Sequence, residues 1–349
     1  MTNRTGSPAV AVDLPGLDLP RLRAYLDAEL PGTVQGELRG RVIAGGKSNL
    51  TYEITDGHGE WIVRRPPLGH VLATAHDMGR EHRVISALSA TPVPVPRTYA
   101  LCTDPEVIGA PFYVMEKVEG VPYRTAEELG RFSPEEVRAI STRLVDTLAL
   151  LHSVDPEQVG LRDFGRPDGY LARQVRRWKQ QLDASHSRDL AGAEELHRQL
   201  AENVPEQQAA AIVHGDYRLD NALVDDDGRV RAVLDWEMAT LGDPLADVGL
   251  LLVYQRRHEL GGTFTGGVAT APGFLRPDEA VARYAERSGR DLSELGFHLA
   301  LGYFKSAVIC EGIHYRYQQG QTVGAGFDTV GQAVEPLLAA GLAALRSND

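Results

Sequence analysis

Cysteine is scarce in this chain: two residues in 349, Cys102 and Cys310, far apart and without the spacing of metal ligands. That excludes a disulfide scaffold and reads as two reduced thiols in a cytoplasmic protein. Long apolar runs are missing too. "VGLLLVY" at 248–254 is far shorter than the roughly 20 residues that a membrane helix needs. The opening "MTNRTGSPAVAVDLPGLDLP" has no basic segment followed by an apolar one, so no secretory signal is read there. Positive charge is in deficit, 36 Lys and Arg against 48 Asp and Glu, for a formal net charge of −12. That balance argues against a nucleic acid or an anionic membrane as the main partner. Neither H-E-x-x-H nor C-x-x-C occurs, which removes the zinc sites those patterns build. What remains is 43% hydrophobic and 24% charged residues, an ordinary soluble composition, in a chain long enough for about two domains.

The patterning changes partway along. "LPRLRAYLDAEL" (19–30) has helical spacing, and residues 34–65 read as three short strands broken at Gly45-Gly46 and at the Asp56-Gly57 turn. "HDMGREHRVISALSA" (76–90) is a helix with Met78, Ile85 and Leu88 on one stripe. Glu81 falls on that same stripe, where a carboxylate needs a partner because burying it unpaired is costly. "TPVPVPRTYA" follows as an extended link, and "PFYVMEKV" (111–118) as a strand. Beyond about residue 121 helices dominate, beginning with Ser133-Pro134-Glu135-Glu136, an N-cap, a first-position proline and a capping-box glutamate. The expected architecture is α+β, with a small sheet-bearing lobe over 1–118 and a larger helical lobe over 119–349.

"AAAIV" reads as a short buried strand, so "HGDYRLDN" (214–221) opens a loop at its end. "NALV", a turn over Asp225–Gly228 and "RVRAVL" then read as a β-hairpin with Asn221 and Asp235 at its open ends. Asp216 lies on the loop just before it. Two oxygen ligands and a third carboxylate, with no cysteine, suit a hard cation such as Mg2+ that completes its shell with water and phosphate oxygens. Asp216 is then placed to orient an attacking hydroxyl or accept its proton. An EF-hand loop with its glycine at Gly228 fails, because Leu223 occupies the first position. "GKS" at 46–48 is not a P-loop: Arg41 stands where glycine is required, and "NLTYEITD" alternates like a strand instead of opening a helix.

H-x-D-x-x-x-x-N followed by a hairpin and a further aspartate is the protein-kinase arrangement. With "HGD" in the loop and "LDWE" after the hairpin, the chain resembles the aminoglycoside phosphotransferase family of kinase-like enzymes. It is most similar to the branch that in some proteins is fused to an acyl-CoA dehydrogenase. "GGKSNLTYEI", "WIVRRPP", "REHRVISAL", "PFYVMEKVEG", "VHGDYRLDNALV" and "VLDWEMATLGDPLADVG" carry the likeness in order. The resemblance implies a two-lobed, protein-kinase-like fold. Asp216 becomes the catalytic base, Asn221 and Asp235 the Mg2+ ligands, and Asp247 the helix-borne brace of the catalytic loop, with His214 as support. Gly46, Ser48 and Asn49 are implied to lie near the nucleotide's phosphates. Arg64 stands where the family pattern has lysine, and arginine can fork onto both a phosphate and a carboxylate. Its natural partner is Glu81, whereas Arg65 points to the opposite face of the strand. Glu116 and Val118 are implied to offer backbone groups to the base.

The resemblance implies a nucleoside triphosphate, ATP or GTP, as donor and a small-molecule hydroxyl as acceptor. A hydroxyacyl-CoA or related hydroxy acid is the preferred acceptor, with an aminoglycoside or amino-alcohol second. A nucleotide-binding pseudokinase or scaffold is the different-class alternative, favoured only by Arg64. Two groups are candidates to meet the acceptor. One is Arg173, Arg176, Arg177 and Trp178 on one helix, suited to an anion, and the other is Glu311, Tyr315 and Arg316 on a late helix.

Overall fold

The computed structural model describes residues 14–43, 49–68, 76–185, 187–207, 210–260, 267–322 and 326–346. The expected phosphate-loop residues Gly46 and Ser48 lie outside these. The chain divides into two compact units: Met1–Ser86 with Pro96–Val118, and Ala87–Val95 with Glu119–Asp349. The sequence pattern predicts one cut after 118, while the chain passes between the units after 86, 95 and 118.

In the first unit, α1 (Leu19–Glu29) starts at the Asp18 cap, whose side chain accepts from the Arg21 N–H. It is followed by β1 (Arg39–Val42), β2 (Leu50–Thr55), β3 (Glu60–Arg65), α2 (Met78–Leu88), β4 (Thr98–Cys102) and β5 (Phe112–Glu116). The five strands form one antiparallel sheet in the order β1-β2-β3-β5-β4. Asp56 closes the β2–β3 turn by accepting the N–H groups of His58 and Gly59, with Gly57 at φ 84°. The alternation of β3 decides which side chains reach which face. Trp61 and Val63 join Leu22, Leu26, Tyr52, Ile54, Phe112 and Val114 in one apolar cluster. Arg64, one residue out of phase, faces away from it. β4 is a correction: the proline-rich link from 91 is not extended linker throughout, because after Pro96 it pairs with β5.

The second unit is mainly helical. α3 (Pro134–Ser153) carries the full capping box between Ser133 and Glu136, a start signal that typically contributes about 1 kcal/mol. α4 (Tyr170–Ser185) and α5 (Ala193–Glu202) follow, then β6 (Ala211–Val213), the hairpin of β7 (Ala222–Val224) and β8 (Val230–Val233), and β9 (Thr240–Gly242). β9 pairs with β6, an element too short to leave a period in the sequence. α6 (Leu245–Arg256), α7 (Pro277–Ser288), α8 (Leu295–Gln318) and α9 (Val334–Arg346) complete it. The core gathers Trp178, Leu196, Leu200, Phe304, Val308, Val334 and Leu337, and no helix among the described residues is long and apolar enough to cross a membrane.

Candidate active site

Strand β6 ends at Val213, and α6 supplies the group that fixes the loop beyond it. Asp247, buried, accepts the backbone N–H of His214 at 2.6 Å and of Gly215 at 2.8 Å, one on each oxygen. Its Oδ2 is also 3.2 Å from His152 Nε2, while His152 Nδ1 lies 2.7 Å from the Tyr284 hydroxyl. Burial alone would raise the Asp247 carboxyl, but the His152 and His214 contacts together outweigh it and lower its pKa. Burial pushes the His152 pKa down. The consistent arrangement is an ionised Asp247 and a neutral imidazole donating from Nε2 and accepting at Nδ1.

Gly215 sits at φ 83°, and a side chain there would meet Met238 Cβ and O at 2.9 Å. Only glycine fits such a position without strain. At the next peptide, half-buried Lys305 of α8 donates to the Gly215 carbonyl at 2.6 Å. Burial lowers the pKa of this ammonium, opposed by the charges of Asp216 and Asp247. The ammonium also lies 5.4 Å from the centre of the Trp178 ring. Gly215 is thus anchored at both its N–H and its carbonyl, on the two peptides that flank it, just before Asp216.

Asp216 is held by three groups. Asn221 Nδ2 donates to its Oδ2 at 3.0 Å and to its backbone carbonyl at 2.8 Å. Tyr254, on α6, donates its hydroxyl to Oδ1. Arg218 Nε stands 3.6 Å from Oδ2, with its NH1 3.2 Å from Asp220. Since Asn221 uses its nitrogen on Asp216, its Oδ1 is the atom suited to a cation. The bond from Leu234 N to Asn221 O, 2.7 Å, closes the open end of the hairpin beside Asp235. Asp235 itself is the one non-glycine residue at positive φ among the described residues, 65°. Such a conformation costs on the order of 1–3 kcal/mol and gathers at functional sites. No cluster of three or more His, Cys, Asp or Glu that could hold a metal occurs among the described residues. A cation here would rest on the amide oxygen, one carboxylate and phosphate oxygens, a hard donor set that fits Mg2+.

A cleft of about 240 Å³ borders this group. Its lining includes Arg218, Asp220 and Tyr254 from around Asp216, with Arg124, Arg257 and His258 beside them. None of the expected acceptor residues is in this lining. Arg173 donates to the carbonyls of Arg166 and Asp168. Arg176 is exposed, as is Arg177, which stacks 5.8 Å from the Trp178 ring, while Trp178 itself is core. Glu311 is fully buried in a pair with Arg188, 3.0 Å, and accepts from Ser187. Neither Tyr315 nor Arg316 lines this cleft. Of these, Arg173, Arg177 and Glu311 are engaged by groups close to them in the fold.

In the first unit, Arg64 Nε meets Glu81 Oε2 at 2.9 Å. Glu81, 1% exposed, also accepts from Tyr113 Oη and Asn49 Nδ2, both at 3.0 Å. Asn49 Oδ1 in turn lies 2.8 Å from His76 Nδ1. Arg65, on the opposite face, donates to the Ile108 carbonyl at 3.0 Å and to Gly16. The Glu116 N–H is bonded to Arg97 O at 2.8 Å, and Val118 lies half-buried past the end of β5.

Sequence reasoning missed Tyr254, Lys305, His152 and Arg218. Tyr254 follows Asp247 by seven residues, two helical turns on the same face. Lys305 is the lone lysine of the apolar helix α8, the kind of signal that singled out Glu81.

A five-stranded antiparallel sheet with a buried Arg–Glu pair, and a helical unit with an H-x-D loop braced from a helix, define a kinase-like phosphotransferase fold. A family model described as "Phosphotransferase enzyme family" matches residues 39–286, and the chain belongs to that family. It is 37% identical over 336 residues to acyl-CoA dehydrogenase family member 11 of Gallus gallus, covering 93% of this chain and 43% of that protein. The chain thus spans under half the length of that relative. A solved structure from Ralstonia eutropha JMP134, provisionally described as an aminoglycoside phosphotransferase, superposes with a TM-score of 0.83 at 33% identity, covering 95% of this chain and 98% of the other. Aminoglycoside phosphotransferase APH(4)-Ia, solved as a thermostable mutant with ADP and hygromycin B, shares the fold: TM-score 0.60, 16% identity, 92% and 97% covered.

Proposed function

We propose that the chain is a Mg-ATP-dependent small-molecule kinase that moves the γ-phosphate to an acceptor hydroxyl. The observation that carries this reading is the Asp216 carboxylate, presented by a loop anchored at both the N–H and the carbonyl of Gly215 and bordering a cleft. Asp216 orients the acceptor hydroxyl and takes its proton as the oxygen attacks the γ-phosphorus. The bond from that phosphorus to the bridging oxygen breaks, and the nucleoside diphosphate leaves. Positioning and electrostatics supply nearly all the catalysis in such transfers. When bound, Mg2+ would offset the charge of the phosphate oxygens, with Asn221 and Asp235 as its ligands. Arg64, steadied by Glu81, serves the nucleotide phosphates in place of a lysine.

The preferred acceptor is a hydroxyacyl-CoA or related hydroxy acid, supported by the likeness to a protein named as an acyl-CoA dehydrogenase family member. An aminoglycoside is the second reading, supported by the Ralstonia structure's description. The test is a screen that follows ADP release with hydroxyacyl-CoAs, hydroxy acids and aminoglycosides side by side. Asp216→Ala should abolish turnover and leave nucleotide binding largely intact. Retained turnover in that variant would remove Asp216 from the mechanism.

A further inference from the structure

The charge of the cleft beside Asp216 is opposite to that of the protein around it. The chain carries −12 overall, yet among the described residues the cleft is lined by Arg124, Arg218 and Arg257 with His258, against one carboxylate, Asp220. That carboxylate is already ion-paired with Arg218 at 3.2 Å. Arg218 is in turn directed toward Asp216, so this one guanidinium is shared between two carboxylates. The cationic lining beyond that group is Arg124 and Arg257, with His258 alongside. Arg257 is oriented by stacking 4.4 Å from the Tyr254 ring centre and by donating to Ser306 Oγ at 3.3 Å. The His258 ring is turned by the contact of its Nδ1 with Gln255 O, 2.8 Å. The rest of the lining is largely apolar: Leu144, Leu219, Leu251, Val268, Ala269 and Phe274.

Resting on the kinase reading above, we infer that this cleft is the acceptor site and that it selects an anionic acceptor. Arg124, Arg257 and His258 bind a carboxylate or phosphate of the acceptor, while the leucine and phenylalanine wall takes a short hydrocarbon chain. Tyr254 joins the two halves of the device. Its ring carries Arg257 and its hydroxyl holds Asp216, so an anion on the arginine places the rest of the molecule toward the base. A polycationic acceptor meets three arginines and finds Asp220 already engaged by one of them. Guanidinium groups suit this task because they fork onto carboxylate and phosphate oxygens.

The experiment compares four probes of matched chain length: short hydroxy acids, their neutral amides, their CoA thioesters and the corresponding amino alcohols. Each is measured by ADP release and, independently, by calorimetric binding. Arg124→Gln and Arg257→Gln are tested beside the wild type; Arg124 is exposed, so its loss spares the fold. The acids should bind, with KM raised about 10- to 100-fold by each substitution, the scale of one charge-assisted contact. Amides and amino alcohols should bind weakly in wild type and respond little to either variant. Binding of the acid but not its thioester assigns the recognised anion to a carboxylate; the reverse assigns it to the phosphates of the CoA arm. Equal affinity for acid and amide, or unchanged KM in both variants, overturns the inference while leaving phosphotransfer to another acceptor intact. Acid binding by calorimetry with no ADP release under any condition upholds the anion site and sinks the kinase reading instead.

Discussion

The Tyr254 hydroxyl donates to Oδ1 of Asp216, reaching across from α6 to the loop after β6. Burial, and then the charge of Asp216, raises the Tyr254 pKa, so the phenol stays a donor throughout the neutral range. A hydrogen bond to a charged group contributes about 1.5–3 kcal/mol. Tyr254→Phe keeps the ring that carries Arg257 and removes only the hydroxyl. It should lower kcat roughly 10-fold with nucleotide affinity unchanged. A kcat equal to wild type in steady-state assays would show that Asp216 is oriented without Tyr254.

Asp247 joins the loop to α3 through His152, and both groups set the acid limb of stability. The folded pKa of His152 is depressed by burial below its ordinary 6.5, so the unfolded chain takes the proton first. Stability is therefore full above about 6.5 and declines as pH falls toward the folded value. Asp247, also depressed, adds a second decline below its ordinary 3.8, as pH falls through its own folded pKa. Asp247→Asn should cost about 1–3 kcal/mol at neutral pH, because one buried N–H of the loop then faces an amide nitrogen. His152→Gln should flatten the decline that begins near 6.5. Denaturant unfolding of the three proteins across acid pH checks both, and parallel curves would refute the assignment.

The separation between what was legible and what was not tracks chain distance. The capping box at Ser133, the hairpin at 222–233 and the period of α2 are local patterns, and each stands in the fold where the spacing put it. Glu81 was legible because a carboxylate on an apolar stripe requires a partner, and Arg64 meets it at 2.9 Å. Strand β4 was hidden by Pro92, Pro94 and Pro96, which read as linker although the strand begins only at Thr98. The cleft was out of reach for a different reason. Its walls come from residues 124–125, 144, 218–220, 251–258 and 267–274, which share no spacing until the helices pack. The basic helix face at 173–178 was the visible alternative, and its arginines are directed to nearby carbonyls, to an aromatic ring and to solvent.

The Arg64–Glu81 pair makes a stability prediction separable from its proposed role. Their side chains are 13% and 2% exposed, so removing one partner leaves a charge in a poorly solvated place, at a cost of about 3–5 kcal/mol. Glu81→Ala also strips the acceptor from Tyr113 and Asn49 and should sit at the high end. Replacing both Arg64 and Glu81 by methionine should recover most of the loss, because no charge is then stranded. Nucleotide affinity should stay low in that double variant even where stability returns. Equal denaturation midpoints for Glu81→Ala and wild type would show that the pair contributes little.

Lys305 carries the last prediction, because an ammonium inside an apolar helix face demands a reason. Its Nζ sits 2.6 Å from the Gly215 carbonyl, on the residue whose N–H is held by Asp247. Burial drives its pKa down; Asp216 and Asp247 oppose that shift, and Arg177 and Arg257 add to it. The charged form is thus lost at a lower pH than for an exposed lysine. As it is lost, the grip on the carbonyl weakens and the Asp216 loop loosens. Turnover should therefore fall on the alkaline side. Lys305→Met fills the same space without the donor, so kcat should drop about 10-fold, the scale of one charge-assisted hydrogen bond. The alkaline fall should disappear with it, and KM for nucleotide should hold. A purely structural lysine would lower stability in Lys305→Met and leave the shape of the pH–rate profile as in wild type, and that result would end the positioning argument.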